Sequence, residues 1–326
     1  MSRRNQLLLI ALLFLVVAVA QKIFLPFDAQ AVAASIAVKP ENIFQVGDFM
    51  ITNTLLTAWI AIILLFLLAS AATKKMSLVP SGLQNGMEML IEAIMDLCQS
   101  VAGERGKKFF PIVATIFLFV VMSNLLGLIP GFGPIGTIQL AENQPAPKGL
   151  VTFDIPQVFA HQDEETGTVP VLAPFVRSPS TDVNFPLSIA LISVILTQIF
   201  GMQALGVLGY WGKFFNFKRF FSYFSGLARG KGKIGDLMMG LLDIFIGLVE
   251  FISEIAKIVA FTFRLFGNIF AGEVMLIIMS FLFLALPLIF YGLEVFVGVI
   301  QGFVFGILTL AFMSIATTPH TSAEHH

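Results

Sequence analysis

Long apolar runs separated by short polar stretches dominate this chain, and the spacing of the runs sets the architecture. Residues 1–20 open with Arg3 and Arg4, continue as an apolar run from Leu7 to Ala20, and close on Ala18-Val19-Ala20. That order fits either a secretory signal with a small-residue cleavage site or an uncleaved anchor that continues through "QKIFLPF". A polar segment, 21–48, follows, and the polytopic part of the chain is expected to occupy 49–326. Its first span is expected over Phe49–Ala72. Residues 81–104 mix Glu88, Glu92, Asp96 and Glu104 with Met, Leu and Ile at helical spacing, the signature of an amphipathic helix lying at an interface. Further spans are expected near 109–129 and 185–208.

From Leu237 to Ala316 the chain is apolar with one break near Pro287. The first part, about fifty residues, greatly exceeds what a ~30 Å hydrocarbon core requires at 1.5 Å per residue. Two helices broken at Gly240 or Gly247 would resolve the excess, as would one steeply tilted helix. The tilted hairpin over 237–316, turning near Pro287, is the favoured reading. The fold class is therefore an all-α integral membrane protein with about five transmembrane helices, plus the N-terminal signal or anchor segment. Closed β-barrels would instead give short alternating segments.

Basic residues orient these spans. Lys74, Lys75, Arg105, Lys107 and Lys108 lie in the 73–108 loop, and Lys213, Lys218, Arg219, Arg229, Lys231 and Lys233 in the 211–236 loop. Both loops are expected on the cytoplasmic side. The 131–183 loop has only Lys148 and Arg177, against Glu142, Asp154, Asp163, Glu164, Glu165 and Asp182, and is expected outside. The mature N-terminus then lies outside and the C-terminus in the cytoplasm.

Composition agrees with a lipid environment: 57% of residues are hydrophobic and 12% charged, against about a quarter charged in soluble domains. A net charge of -1 gives no basic bias toward nucleic acid. One cysteine, Cys98, excludes an intrachain disulfide framework. Glycine-rich nucleotide loops and the HExxH pattern are missing, so no nucleotide chemistry, cofactor or metal is expected of this chain.

Charges inside the apolar stretches carry the chemistry. On a helix, Glu250, Glu254, Lys257, Arg264 and Asn268 fall within roughly ±40° of one line, while Glu273 lies well off it. Glu294 and Gln301, seven residues apart, share a face on the next segment. Glu254 and Lys257, at i and i+3, fit a structural pair and a path position equally. Arg264 is different. Its insertion costs about 2.5–3.5 kcal/mol, and positions 260, 261, 267 and 268 are Ala, Phe, Gly and Asn, so no carboxylate lies one turn away. Its counter-ion must come from another helix or another subunit. Arginine does not titrate, so it serves as a fixed positive gate, whereas Glu273 and Glu294 exchange protons. Asp182 and Asn184 suit either the outer entrance of a path or, for Asp182, a helix cap.

"RLFGNIFAGE" (Arg264–Glu273) resembles the signature of subunit a of the F-type ATP synthase. "SNLLGLIPG" (Ser123–Gly131), "STDVNFPLSIAL" (Ser180–Leu191) and "FVGVIQGFVFGILTLAFMSIA" (Phe296–Ala316) resemble further segments of that family, in order. The resemblance implies a membrane stator subunit that forms two proton half-channels against a ring of c subunits and couples proton flow to rotation and ATP synthesis. By resemblance, Arg264 meets the ring carboxylate. Asn268, Glu273, Gln301 and Glu250 match polar path positions, with Lys257 on the same face as Glu250. Glu294 occupies a position that some members fill with His. Glu273 and Glu294 are expected to share proton handling on the outer side. The hairpin is expected to face the c-ring. Further partners implied are b-type peripheral stalk subunits, the F1 head indirectly, and membrane lipid. The implied location is a bacterial plasma membrane. A secondary transporter would be favoured by repeated halves, which the sequence lacks.

Overall fold

A computed structural model describes residues 40–47, 49–74, 76–129, 136–141, 169–214, 234–282 and 286–318. The N-terminal signal or anchor segment, most of the 131–183 loop and most of the 211–236 loop lie outside the described residues.

Residues Asn42–Val46 (β1) and Phe49–Thr52 (β2) pair as an antiparallel hairpin, with Val46 opposite Phe49. Gly47 takes the left-handed backbone that the tight turn needs, φ 63°. The first helix, α1, therefore begins at Asn53 and not at Phe49, and runs to Thr73. Thr52 sets that boundary: its hydroxyl accepts from the Leu55 amide at 3.3 Å, and its own backbone stays extended. β-Branched and aromatic residues in "FMIT" suit the strand, and the apolar tally alone does not separate it from the helix that follows.

Helix α2 covers Leu83–Ala102 and α3 covers Gly106–Gly127, joined by a 3₁₀ turn at Gly103–Arg105. The joint is close: a Cβ at Gly106 would lie 2.3 Å from the Cys98 carbonyl oxygen, so only glycine fits. Strands β3 (Gly136–Ala141) and β4 (Val169–Pro174) form a second antiparallel pair in full register. Helix α4 spans Asn184–Leu205. Asp182 caps it, its Oδ1 accepting from the Asn184 amide at 3.0 Å, and its Oδ2 accepts from the Thr54 hydroxyl at 3.2 Å. The bond that a capping role requires is present. Gly206, φ 77°, turns the chain into the short helix α5, Val207–Phe214.

Helix α6 runs unbroken for 49 residues, Ile234–Leu282, and α7 for 32, Leu286–Thr317. Neither Gly240 nor Gly247 interrupts α6, so the single long helix holds over the broken pair. At 1.5 Å per residue α6 is about 74 Å long. Pro287 stands in the first turn of α7, where a missing amide costs no helical bond. Among the described residues, four helical segments are long and apolar enough to cross a membrane: α1, the α2–α3 stretch Leu83–Gly127, α4, and Pro287–Thr317. The chain is an α-helical integral membrane protein, and its described residues also hold two small antiparallel strand pairs that hydrophobic periodicity does not announce.

The chain divides into two compact units. The first holds Met1–Lys74, Leu118–Phe185 and Leu265–Phe303; the second holds Lys75–Phe117, Pro186–Arg264 and Val304–His326. In the second, Cys98, Phe109, Val113, Leu310 and Met313 form a buried core, and Ser193 shares a 2.8 Å hydrogen bond with Thr309. In the first, polar side chains tie the elements. Ser180 donates to Asn124 Oδ1 at 2.5 Å, and Asn124 Nδ2 donates to the Gly298 carbonyl at 3.1 Å. The Tyr291 hydroxyl donates to the Leu128 carbonyl. In lipid, where apolar contact gives little drive to associate, such bonds and close glycine contacts hold helices together.

Candidate polar sites along the long helices

In the first unit, Glu273 on α6 meets Arg177, from the stretch between β4 and α4. Arg177 Nε donates to Glu273 Oε1 at 3.0 Å and Nη2 donates to Oε2 at 3.0 Å, a two-point pair. Arg177 is 7% exposed and Glu273 33%. The Arg177 amide donates to the Thr57 hydroxyl at 3.2 Å, which anchors the backbone beneath the pair. Glu41 stands within electrostatic reach of both partners. Asn53, fully buried, seats Glu41: the Asn53 amide donates to the Glu41 carbonyl at 3.0 Å and its Nδ2 to Glu41 Oε2 at 3.4 Å. Burial raises the pKa of Glu41 above its ordinary value; Arg177 opposes that rise and Glu273 adds to it.

A separate groove of ≈ 370 Å³ in the same unit is lined by Asn268, Gly272, Glu294 and Gln301, among others. Glu294 is only 4% exposed and Gln301 8%. The Glu294 carboxyl lies over the Gly272 backbone, where a Cβ would fall 1.9 Å from Oε2. Asn268, Glu294 and Gln301 are thus brought together. Glu273 is one residue from Gly272, yet it does not line the groove and is paired elsewhere.

In the second unit, Lys257 Nζ donates to Glu254 Oε1 at 2.5 Å, and Glu254 Oε2 accepts from Gln198 Nε2 at 2.6 Å. Gln198 Oε1 accepts from the Tyr210 hydroxyl at 2.6 Å. Lys257 also lies 4.7 Å from the centre of the Phe312 ring. Burial, then the charges of Glu254 and Glu250, push Tyr210 up to about 12, so it remains the donor. Glu250 is half-buried on the same α6 face. The structural pair is therefore present at Glu254–Lys257. Arg264 is exposed and forms no ion pair among the described residues.

Sequence reasoning singled out Glu273 and Arg264 but missed Arg177, Glu41 and Gln198 as partners. Arg177 enters only as a loop charge, and nothing in local spacing links it to a residue 96 positions away.

Residues 55–314 match the family described as ATP synthase A chain. The chain is similar to ATP synthase subunit a of Syntrophobacter fumaroxidans, 29% identical over 281 residues that make up 85% of this chain and 89% of that one. It is similar to ATP synthase subunit a of Moorella thermoacetica, also 29% identical, over 85% of this chain and 96% of the relative. For ATP synthase subunit a of Helicobacter pylori strain Shi470 the figures are 28%, 84% and 95%.

Proposed function

The chain belongs to the ATP synthase A chain family, that of the membrane proton-translocating stator subunit of Fo, and from that premise we propose that Arg264 is the gate between two proton half-channels. The observation that carries this reading is the contrast along α6. Lys257 has a carboxylate within its own chain, whereas Arg264 is exposed and has none among the described residues. A guanidinium in an apolar setting needs a counter-charge, and a carboxylate presented by a neighbouring subunit supplies one. A ring of c subunits, each bringing one carboxylate past Arg264, meets that need in turn. The fixed positive charge also interrupts any continuous water path past it.

Asn268, Glu294 and Gln301 line one groove and form the path on the outer side, with Glu273 as a second carboxylate close by. Glu250, and Lys257 through its pair with Glu254, stand on the path toward the cytoplasm. Each proton that crosses contributes about 2.3 kcal/mol per 100 mV, so several pass for each ATP formed. The ATP chemistry belongs to the F1 head, reached indirectly, and b-type stalk subunits hold the stator still. The membrane is a bacterial plasma membrane, with the C-terminus in the cytoplasm, as the basic loops favour.

The test is ATP-driven proton pumping in inverted membrane vesicles carrying the whole complex, Arg264→Ala against wild type, with ring co-purification as the assembly check. Loss of pumping in an assembled complex is expected. Pumping at the wild-type rate would refute the gate.

A further inference from the structure

The first unit holds a cluster that the path as described does not use. Among the described residues, Arg177 pairs with Glu273, and Glu41 is seated close by: Asn53 holds its carboxylate, the Thr57 hydroxyl donates to the Asn53 carbonyl at 2.9 Å, and the same hydroxyl accepts from the Arg177 amide at 3.2 Å. We propose that Glu41 is a proton-loading carboxylate for Glu273, with Arg177 as the positioning residue that holds the pair in register. The proposal rests on the stator reading above, and on the expectation that β1 lies on the outer side.

Geometry divides the cluster unequally. Arg177 grips Glu273 at two points, both 3.0 Å. Among the described residues, the Glu41 carboxylate has a single long bond, 3.4 Å, from the Asn53 side-chain amide. Asn53 holds Glu41 in place through the backbone as well: Glu41 N donates to Asn53 Oδ1 at 3.3 Å, and Asn53 N donates to Glu41 O at 3.0 Å. Asn53 Oδ1 also accepts from the Thr54 amide at 2.9 Å, so this side chain is fixed at the start of α1. The charged groups facing Glu41 are Arg177, ahead of α4, and Glu273, on α6. Asp182 is tied to Thr54, one residue beyond the Asn53 seat. A second carboxylate beside a pair already balanced is the group that favours its neutral form.

Chemically the step is a simple relay. Glu41 takes a proton from the water outside. The Glu41 carboxyl gives its proton to a water between the two side chains and that water gives one to a Glu273 carboxylate oxygen, so the charge of the cluster does not change in the transfer. Glu41 then reloads from water. Glu41 lies outside residues 55–314, the part that matches the family, so the loading group is supplied by the residue that leads into the β1–β2 hairpin and not by the matched helices.

The experiment is proton-driven ATP synthesis by the intact complex, in right-side-out geometry with the outer pH varied, comparing wild type, Glu41→Gln and Arg264→Ala. For Glu41→Gln the outer pH giving half the maximal rate moves toward acid by about one unit, a tenfold change in proton concentration, so the loss grows as outer pH rises. A profile that overlays wild type, or a rate reduced by one factor at every pH, overturns the proposal. Arg264→Ala separates the two readings: synthesis at the wild-type rate would remove the stator reading itself, whereas its loss beside an unshifted Glu41→Gln profile removes only the role of Glu41. A second measurement needs no variant. Wild-type complex is treated with a water-soluble carbodiimide and an amine across a pH series, and Glu41 modification is read by peptide mass spectrometry. A midpoint above the ordinary glutamate value of about 4.3 is expected; a midpoint at that value overturns the proposal.

Discussion

Lys257 and Arg264 stand seven residues apart on one face of α6, and their surroundings assign them different work. Lys257 is four-fifths buried, bonded to Glu254 and lying over Phe312. Removing either charge strands the other in a setting poor in water, whereas removing both does not. Lys257→Gln is therefore expected to lower the thermal stability of the purified complex. Adding Glu254→Gln should restore most of the loss, with a coupling energy of about 0.5–3 kcal/mol in the double-mutant cycle. Additive losses would count against a structural pair. At this scale the sequence is legible where partners are helical neighbours: the i, i+3 spacing suggests the Glu254–Lys257 pair directly. It is silent where partners are distant. Gln198 reaches Glu254 from 56 residues away and Arg177 reaches Glu273 from 96, and no local pattern encodes either meeting.

At the scale of elements, long apolar periodicity is a reliable guide and short strands are not. The lengths of α6 and α7 follow from long apolar runs that divide just ahead of Pro287. Two glycines in α6 look like breaks, yet each costs only about 1 kcal/mol against alanine, far less than closing a new pair of unsatisfied helix ends in lipid. The β1–β2 hairpin escapes because its second strand, "FMIT", is continuous in hydropathy with α1 and only the Thr52 cap divides them. The continuity of α6 is measurable. Spin labels at positions 242 and 259, both half-exposed, bracket Gly247. Seventeen residues of unbroken helix separate their backbones by about 26 Å. A narrow distance distribution centred near that value, after allowance for the labels, is expected. A markedly shorter or bimodal distribution would restore the broken-helix alternative.

For the molecule as a whole, the sidedness of the membrane decides which way every proton step runs. α1 is 21 residues long, about 32 Å, enough to cross once. It leaves the β1–β2 hairpin on one side and Lys74 on the other, and the basic residues of the 73–108 loop favour the cytoplasm for the latter. The chain is well suited to a direct test, since its one cysteine, Cys98, is fully buried. A membrane-impermeant maleimide is expected to label an Asn42→Cys variant in right-side-out vesicles and a Leu78→Cys variant in inverted ones, both positions being exposed. The converse pattern would place Glu41, Arg177 and Glu273 at the cytoplasmic mouth. The Glu41→Gln shift would then follow the inner pH and appear in ATP-driven pumping, not in synthesis against a varied outer pH. Labelling and pH profiles thus check one another: the side on which position 42 reacts must be the side whose pH controls loading at Glu41.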